Sequence, residues 1–144
     1  MEHKQLLTVF NSLPVGIGFF TADGTLVRCN ESFCRIFGAD SQTLLGNKLN
    51  INENSVVPDV VKEAVRRCVP VQMSFLYDFD KQRTDKRFFS TRTRTCYLKC
   101  NGNPLYDNDG KFVNYIFIFE DITETVKSEE VLRQSRRKTE LAMK

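Results

Sequence analysis

The stretch at residues 111–123, KFVNYIFIFEDIT, constrains the fold most, because large apolar side chains occupy both sides of a potential strand. The preceding run DNDG is typical of a tight turn. Alternation places positions 112, 114, 116, 118 and 120 on one face and positions 113, 115, 117, 119 and 121 on the other. Each exposed large apolar side chain forgoes roughly 1.5–3 kcal/mol. The stretch therefore predicts a central strand that is covered on both faces.

The segment that follows, residues 124–144, contains neither glycine nor proline and predicts a charged helix. Asp121 or Thr123 can cap its first turn, and Glu124 suits the positive end of the helix dipole. A buried strand thus passes almost without a linker into a helix that leaves the domain. We expect Glu120, Asp121 and Thr123 to relay a signal across this junction.

Composition narrows the class of protein. The 144 residues are 41% hydrophobic and 27% charged, as in an ordinary globular domain, and the net charge of +3 is too small to indicate nucleic-acid binding. No apolar run is long enough to span a membrane. Five cysteines without a CxxC motif, and one histidine, His3, argue against a metal site. We expect reduced, buried thiols, a cytoplasmic location, and no contact with membrane.

The N-terminal half alternates helix and strand signals. Residues 1–13 predict an amphipathic helix, and 15–21 with 25–29 predict a hairpin in which Gly16 and Gly18 indicate close approach of backbone or ligand. Asn30 is expected to cap a helix at 31–37 that Gly38 ends. Ser41 is expected to cap the next helical turn.

The second half changes from helix to strands. Residues 47–54 read as a polar loop, and residues 56–69 as a helix that Pro70 ends. Strands are expected at 71–80 and from some point after Phe88 to 105, joined by a charged connection at 81–87. Neighbouring late strands should pair antiparallel, with the short helices on one face of the sheet.

Two segments in this order, LPVGIGFFTADGTLVRCNESFCRIFG at 13–38 and NPLYDNDGKFVNYIFIFEDIT at 103–123, resemble the PAS family of sensory domains. The resemblance implies an α+β fold: a five-stranded antiparallel sheet with short helices on one face, enclosing a small pocket. It divides the chain into an N-terminal cap helix at 1–13, a core at 14–123 and a signalling linker helix at 124–144. The SEEVLRQSRRKTELA run looks like linkers to a further PAS domain or to a kinase.

Catalysis has little support, because no nucleophile and base or metal constellation can be assembled around a single terminal histidine. This segment is therefore not expected to be an enzyme. Flavin-binding relatives carry a cysteine in an NCRFLQ-like run, where this chain has SQTLLGNKLN, and haem-binding relatives need a histidine in the helical region. Both cofactors are disfavoured, and none is predicted, which leaves a small-molecule ligand of unknown identity open.

An apolar pocket between the helices and the sheet is the remaining candidate site. Its expected lining comprises Ile36, Phe37, Leu44, Leu45, Leu49, Val57, Val61 and Val65. The same residues can equally fill a closed core. Arg92, Arg94 and Lys99 could meet an anion or form a solvated strand face. A second apolar face, for dimerisation or capping, is expected from Leu6, Leu7, Phe10, Leu13, Tyr115, Phe117 and Phe119.

These observations favour a sensory and dimerisation module of a multidomain signalling protein, with a sensor histidine kinase as the expected parent. A homodimer and a downstream kinase or further PAS domain are the expected partners, and nucleic acid is not. A pocket or interface signal would pass through the Asp-Ile-Thr ending to the output domain. The alternatives are a purely structural dimerisation module with a filled pocket and the input domain of a DNA-binding transcriptional regulator.

Overall fold

A computed structural model describes residues 3–82 and 90–142. The helices are α1 (His3–Ser12), α2 (Glu31–Phe37), α3 (Ser41–Gly46), α4 (Asp59–Arg67), α5 (Phe79–Gln82) and α6 (Thr123–Ala142). The strands are β1 (Gly16–Phe20), β2 (Leu26–Cys29), β3 (Val71–Asp78), β4 (Thr95–Tyr106) and β5 (Phe112–Asp121). No helix within the described ranges combines the length and apolar character that crossing a membrane requires.

The strands form one antiparallel sheet in the order β2-β1-β5-β4-β3, so the stretch at 111–123 supplies the central strand. Ile118 lies opposite Ile17 on one side and opposite Asn101 on the other. The predicted α+β architecture, with a five-stranded antiparallel sheet, an N-terminal helix and a C-terminal helix, is confirmed. β4 begins at Thr95, a boundary that the sequence pattern does not reveal.

The inner face of the sheet, which the helices cover, holds the aromatic core. Tyr115, Phe117 and Phe119 are buried, with relative exposures of 0%, 0% and 3%. They pack in one cluster with side chains from α2 and from the other strands, among them Phe20, Phe33, Phe37, Tyr77 and Leu98. Burial of these rings is the main driving force for the fold, because apolar area removed from water dominates folding energetics.

The outer face of the sheet is only half-buried at Ile116 and Ile118. Helix α1 has no buried residue and reaches this face through Phe10, whose ring centroid lies 6.0 Å from that of Phe19. The expected full cover on both sides of β5 is therefore incomplete, since aliphatic side chains on the outer face keep partial contact with solvent.

Placing Tyr115, Phe117 and Phe119 on one cap face with α1 was wrong. The register pairs Phe19, which α1 contacts, with Ile116, and directly opposite residues in an antiparallel pair share a face. The odd-numbered aromatics of β5 consequently point toward the helices. Leu6 and Leu7 remain 53% and 37% exposed on α1, so that helix still presents an apolar stripe.

Two helix boundaries differ from the sequence expectation. Asp40, not Ser41, caps α3, because its carboxylate accepts a hydrogen bond from Thr43 N at 2.7 Å. Helix α4 ends at Arg67, before Pro70, since Cys68 adopts the left-handed conformation with φ of 57°. In each case a residue near the expected one satisfies the free backbone groups at the end of the helix.

The expected polar loop at 47–54 was also wrong in part. It contains a 3-10 turn at Ile51–Glu53, and both Leu49 and Ile51 are buried. An isolated bridge between Thr25 and Asn50 holds it against the start of β2. The strand expected at 71–80 ends at Asp78, and most of the expected connection at 81–87 lies outside the described residues.

Candidate functional site

The interior between the helices and the sheet contains the predicted pocket residues. Seven of the eight are buried and Leu45 is partly buried. The cavity that remains there is about 30 Å³ and is lined by Phe20, Phe33, Phe37, Leu49, Asn50, Ile51, Asn54, Val57 and Phe119. Phe37, Leu49 and Val57 are therefore the predicted residues that reach the cavity, while the others pack around it.

Aromatic rings occupy most of this interior. Phe37 lies between Phe33, at 4.6 Å, and Phe119, at 5.2 Å between ring centroids, with an edge-to-face geometry to Phe119. Phe20 meets Phe117 edge-on at 5.3 Å. A cavity of about 30 Å³ has room for a water molecule, whereas pockets for small organic ligands measure roughly 300–1,000 Å³. Within the described residues, the aromatic rings therefore fill most of this site.

One polar pair borders the cavity. Asn54 donates from Nδ2 to the hydroxyl oxygen of Tyr77 at 2.7 Å, and both side chains are buried. The Asn54 carbonyl oxygen also accepts from Val56 N at 3.1 Å. Buried polar groups of this kind require partners, and the pair supplies them to each other. The contact joins the segment after the 3-10 turn to β3.

Asn30 forms a junction at the N-terminal end of α2. Its Oδ1 accepts from Ile17 N at 2.8 Å and from Phe33 N at 3.0 Å. Its Nδ2 donates to Phe10 O at 3.0 Å and to Val15 O at 2.9 Å. The predicted capping role is confirmed, and the same fully buried side chain also fastens α1 and β1 to α2.

Arg92 forms a second junction at the C-terminal end of α2. Its Nη1 donates to the carbonyl of Ile36 at 2.8 Å and approaches Asp121 Oδ2 at 3.4 Å. The guanidinium also lies 4.7 Å from the ring centroid of Phe79. A planar cation with several donors suits such simultaneous contacts. Arg92 therefore links α2 to the end of β5.

The start of α6 is built on the same carboxylate. Asp121 Oδ1 accepts from Thr123 N at 3.0 Å and from the Thr123 hydroxyl. The Thr123 hydroxyl oxygen accepts from Tyr97 N at 3.0 Å, and Ile122 N donates to Tyr97 O at 2.9 Å. The Asp-Ile-Thr ending thus joins β4, β5 and α6. Glu120 lies apart from this cluster, exposed and opposite Lys99.

Known families provide an independent comparison with this geometry. The sequence model of the PAS fold family matches residues 10–127, which is most of the chain. The chain belongs to the PAS fold family. No curated protein sequence matches it.

Solved structures share the PAS fold at low sequence identity. An RNA-binding light-oxygen-voltage receptor has 19% identity and a TM-score of 0.68, with 93% of this chain covering 37% of the receptor. A PAS domain from Colwellia psychrerythraea has 16% identity and a TM-score of 0.62, covering 84% of this chain and 97% of that domain. A domain of a sensor histidine kinase/response regulator from Geobacter sulfurreducens has 15% identity and a TM-score of 0.55, covering 82% and 92%.

Sequence reasoning missed Arg92 as a site residue of this PAS domain. Arg92 and Arg94 precede β4, so the interpretation of both as part of a strand face was wrong. Arg94 has a φ of 65° and its backbone N–H donates to Asp80 at 3.3 Å. The available signal was Gly38, because a Cβ at this position would lie 2.7 Å from Arg92 Cγ. That signal marks a close approach without naming the partner.

The structure brings together two of the three predicted relay residues, Asp121 and Thr123. Within the described residues, no three His, Cys, Asp or Glu side chains are grouped to hold a metal ion.

Proposed function

We propose that this PAS domain is a signal-relay module that transmits a change in the packing of α2 to α6 through Arg92 and Asp121. The observation that carries the proposal is the position of Arg92, which contacts the last turn of α2, the ring of Phe79 and the carboxylate that starts α6. One side chain therefore joins the helix beside the cavity to Asp121, the last residue of β5, whose carboxylate holds the start of α6.

The input end of this route is α2 itself. Phe33 and Phe37 project from it into the aromatic interior and line the cavity, and the carbonyl of Ile36 lies between them in sequence. Close-packed interiors transmit displacements, because neighbouring rings cannot move independently. A change at Phe37 is therefore expected to move the Ile36 carbonyl and with it the guanidinium of Arg92.

The output end is α6, a helix of 20 residues without a buried side chain. Its start depends on the orientation of Asp121, whose carboxylate holds both Thr123 and Arg92. A movement of Arg92 shifts the equilibrium between two conformations of the first turn of α6, and such a shift is how conformational switches generally work. We propose that α6 carries the change to an output domain, with a histidine kinase as the first candidate.

The small volume of the cavity supports a signal that does not depend on a large bound cofactor. A volume of about 30 Å³ favours a filled interior, so we propose that the domain works without haem or flavin and responds to its own packing or to its interface. The exposed stripe of Leu6 and Leu7 on α1 supports homodimerisation as one such interface. Native mass spectrometry of protein from its source should show no retained small molecule, and a stoichiometric retained ligand would contradict this part.

The relay itself is tested by Arg92→Ala, with Arg67→Ala on the exposed part of α4 as the control. Amide hydrogen exchange of Tyr97, Ile122 and Val126 reports the start of α6, since these amides donate in its first contacts. Partly exposed ion pairs contribute about 0.2–1 kcal/mol, so exchange should rise roughly 1.5- to 5-fold in Arg92→Ala. Unchanged exchange relative to Arg67→Ala would end the relay proposal.

A functional counterpart uses the full-length protein. Asp121→Ala should uncouple input from output while the domain stays folded, because Asp121 lies at the surface of the sheet end and contributes no core packing. Circular dichroism checks folding and the activity of the output domain checks coupling. Output that still follows the input in a folded Asp121→Ala protein would exclude this route. If an output domain binding DNA followed α6, the same assay would be read as promoter occupancy.

A further inference from the structure

Two cysteines meet beside the buried Asn30 junction. The Sγ atoms of Cys29 and Cys34 are 3.9 Å apart, and both side chains are half-buried. Cys29 ends β2, and Cys34 lies in the second turn of α2. Of the other three thiols, Cys96 and Cys100 are buried in the core and Cys68 lies near the Tyr106 hydroxyl at 3.7 Å.

The backbone around this pair is fixed by contacts that do not involve sulfur. Asn30, which stands between β2 and α2, is anchored by its four side-chain hydrogen bonds, and Cys34 N donates to Asn30 O at 3.3 Å. A disulfide has an S–S length of about 2.05 Å, so the two sulfurs must approach by roughly 2 Å. Closure therefore requires rotation of the two side chains, a displacement of α2, or both.

We propose that Cys29 and Cys34 form a dithiol modification site that a hydroperoxide closes to a disulfide. Closure draws the start of α2 toward the end of β2. Through the proposed relay, on which this second step rests, the displacement reaches Ile36, Arg92 and Asp121. The site gives the domain an oxidant-dependent input that needs no ligand in the interior.

The chemistry is a two-electron oxidation of the thiol pair. The Cys34 thiolate attacks one peroxide oxygen, the O–O bond breaks, and the departing hydroxide or alkoxide takes up a proton, which leaves a sulfenic acid on Cys34. The Cys29 sulfur then attacks the Cys34 sulfur, the S–O bond breaks, and water leaves with the proton from Cys29. With hydrogen peroxide the balance is two thiols and one peroxide to one disulfide and two waters.

The surroundings make this a slow site. Burial, followed by the nearby Cys34, raises the pKa of Cys29 to about 12. Burial also raises the pKa of Cys34, and the charges of Asp40 and Glu31 add to this increase, while the hydrogen bond with Cys29 and the charge of Arg35 partly offset it. Because the thiolate is the reacting species, oxidation is expected to be slow at neutral pH and faster as the pH rises. Cys34 is accordingly the first sulfur to react.

Peptide mapping tests the site directly. Trypsin cleavage after Arg28 and Arg35 releases residues 29–35 with both cysteines in one peptide. After treatment of the folded protein with hydrogen peroxide, this peptide should be two hydrogens lighter than its reduced form and should resist alkylation until dithiothreitol is added. Recovery of residues 29–35 with two alkyl groups, under conditions that oxidise Cys68, would overturn the site.

Variants separate the disulfide from oxidation at single thiols. Cys34→Ser should abolish the dithiothreitol-reversible loss of two hydrogens, whereas Cys68→Ser should leave it unchanged. The wild-type measurement decides the proposal even if Cys34→Ser folds poorly, because it needs no substitution. A disulfide that links Cys29 to Cys68 instead would also contradict the assignment.

The coupling step has its own readout. Hydrogen exchange of Ile122 and Val126 should differ between the reduced and the disulfide forms of the wild type by at least twofold, and Arg92→Ala should reduce that difference. A disulfide that forms without any change at these amides would contradict the coupling but keep the modification site. The effect of Arg92→Ala on the reduced protein tests the relay separately.

Discussion

At the N-terminal end of α2, Asn30 is fully buried and makes four hydrogen bonds of 2.8, 2.9, 3.0 and 3.0 Å. At the C-terminal end, the Arg92 side chain is 32% exposed and reaches Asp121 at 3.4 Å. Buried polar groups with every partner in place are costly to disturb, while partly exposed ion pairs are cheap to rearrange. One helix thus has a fixed end and an adjustable end.

Because the two ends of α2 differ in this way, a displacement of α2 is expected at its C-terminal end, which Arg92 links to the start of α6. The fixed end holds α1, β1 and α2 together, so a displacement of α2 is expected to appear at Ile36 and Arg92. The adjustable end lies beside the start of α6, and its ion pair can weaken without exposing the core. The pair Cys29 and Cys34 acts at the fixed end, where only a covalent bond is strong enough to alter the geometry.

Asn30→Ala should have the largest effect and tests the fixed end. The substitution leaves the amides of Ile17 and Phe33 and the carbonyls of Phe10 and Val15 without their partner. We expect a loss of roughly 2–4 kcal/mol in the free energy of unfolding, because several buried polar groups lose hydrogen bonds together. Urea unfolding measures it, and Asn103→Ala at an exposed position of β4 is the control. A loss no larger than that of Asn103→Ala would remove the distinction between the two ends.

Local patterns were sufficient to predict the elements that form this comparison. Asn30 as a cap, Gly38 as the end of α2 and 111–123 as a central strand each follow from side-chain chemistry within a few residues. The Arg92 contact with Ile36 spans 56 positions and depends on how the segment before β4 folds back, which no local pattern encodes. The Arg92 part of the proposed relay therefore could not be predicted from the sequence, whereas Asp121 and Thr123 could.

Face assignment failed for a different reason. Alternation along β5 divides its residues into two groups, but it does not say which group meets the helices. Both groups are apolar, so polarity could not decide between them, and the register with β1 was needed to place Tyr115, Phe117 and Phe119 inside. Cavity volume is also beyond a residue list, because it depends on how the rings of Phe33, Phe37 and Phe119 interleave.

Gly16→Ala tests how tightly the fixed end is packed. A Cβ at Gly16 would lie 2.9 Å from Phe33 Cα and 2.9 Å from Ile36 Cδ1, so part of the conflict is with backbone that cannot rotate away. Overpacking of this kind costs about 1–3 kcal/mol. Thermal unfolding should show the loss, whereas Gly46→Ala, where nothing lies within 4 Å of the added Cβ, should show none. Equal stability of the two variants would mean that α2 shifts freely on β1.

Gly38→Ala tests the adjustable end. Gly38 has a φ of 66°, and its added Cβ would lie 2.7 Å from Arg92 Cγ. Left-handed backbone costs an alanine about 1–2 kcal/mol, and the displaced Arg92 should raise hydrogen exchange at Ile122 and Val126. Gly110→Ala is a matched control, because Gly110 has a φ of 80° but no neighbour within 4 Å. The same exchange change in Gly110→Ala would show that strain alone, without Arg92, explains it.

Tyr115→Phe should have the smallest effect and extends the comparison to a third contact. The Tyr115 hydroxyl donates to Val69 O at 2.6 Å and fastens the segment between α4 and β3 to the central strand. Loss of this partly buried hydrogen bond should cost about 0.5–1.5 kcal/mol without changing hydrogen exchange at the start of α6. The contact thus belongs with the Asn30 junction, as one that stabilises the fold without taking part in the relay. A change in hydrogen exchange at α6 without a loss of stability in Tyr115→Phe would contradict this assignment.

The alkaline range provides a separate check on Tyr115. Burial raises the pKa of this tyrosine from 10.0 to about 12, so the folded protein keeps a proton that the unfolded chain loses. The stability that Tyr115 contributes is therefore complete below pH 10 and is lost as the pH rises through 12. The difference between wild type and Tyr115→Phe, measured by urea unfolding, should shrink over that interval. The nearby Cys100 adds to the raised pKa of Tyr115, and burial raises the pKa of the Cys100 thiol itself to about 12. A difference that stays constant up to pH 12 would mean that the hydroxyl ionises alike in the folded and unfolded chains, and the contact with Val69 would then count as adjustable rather than fixed.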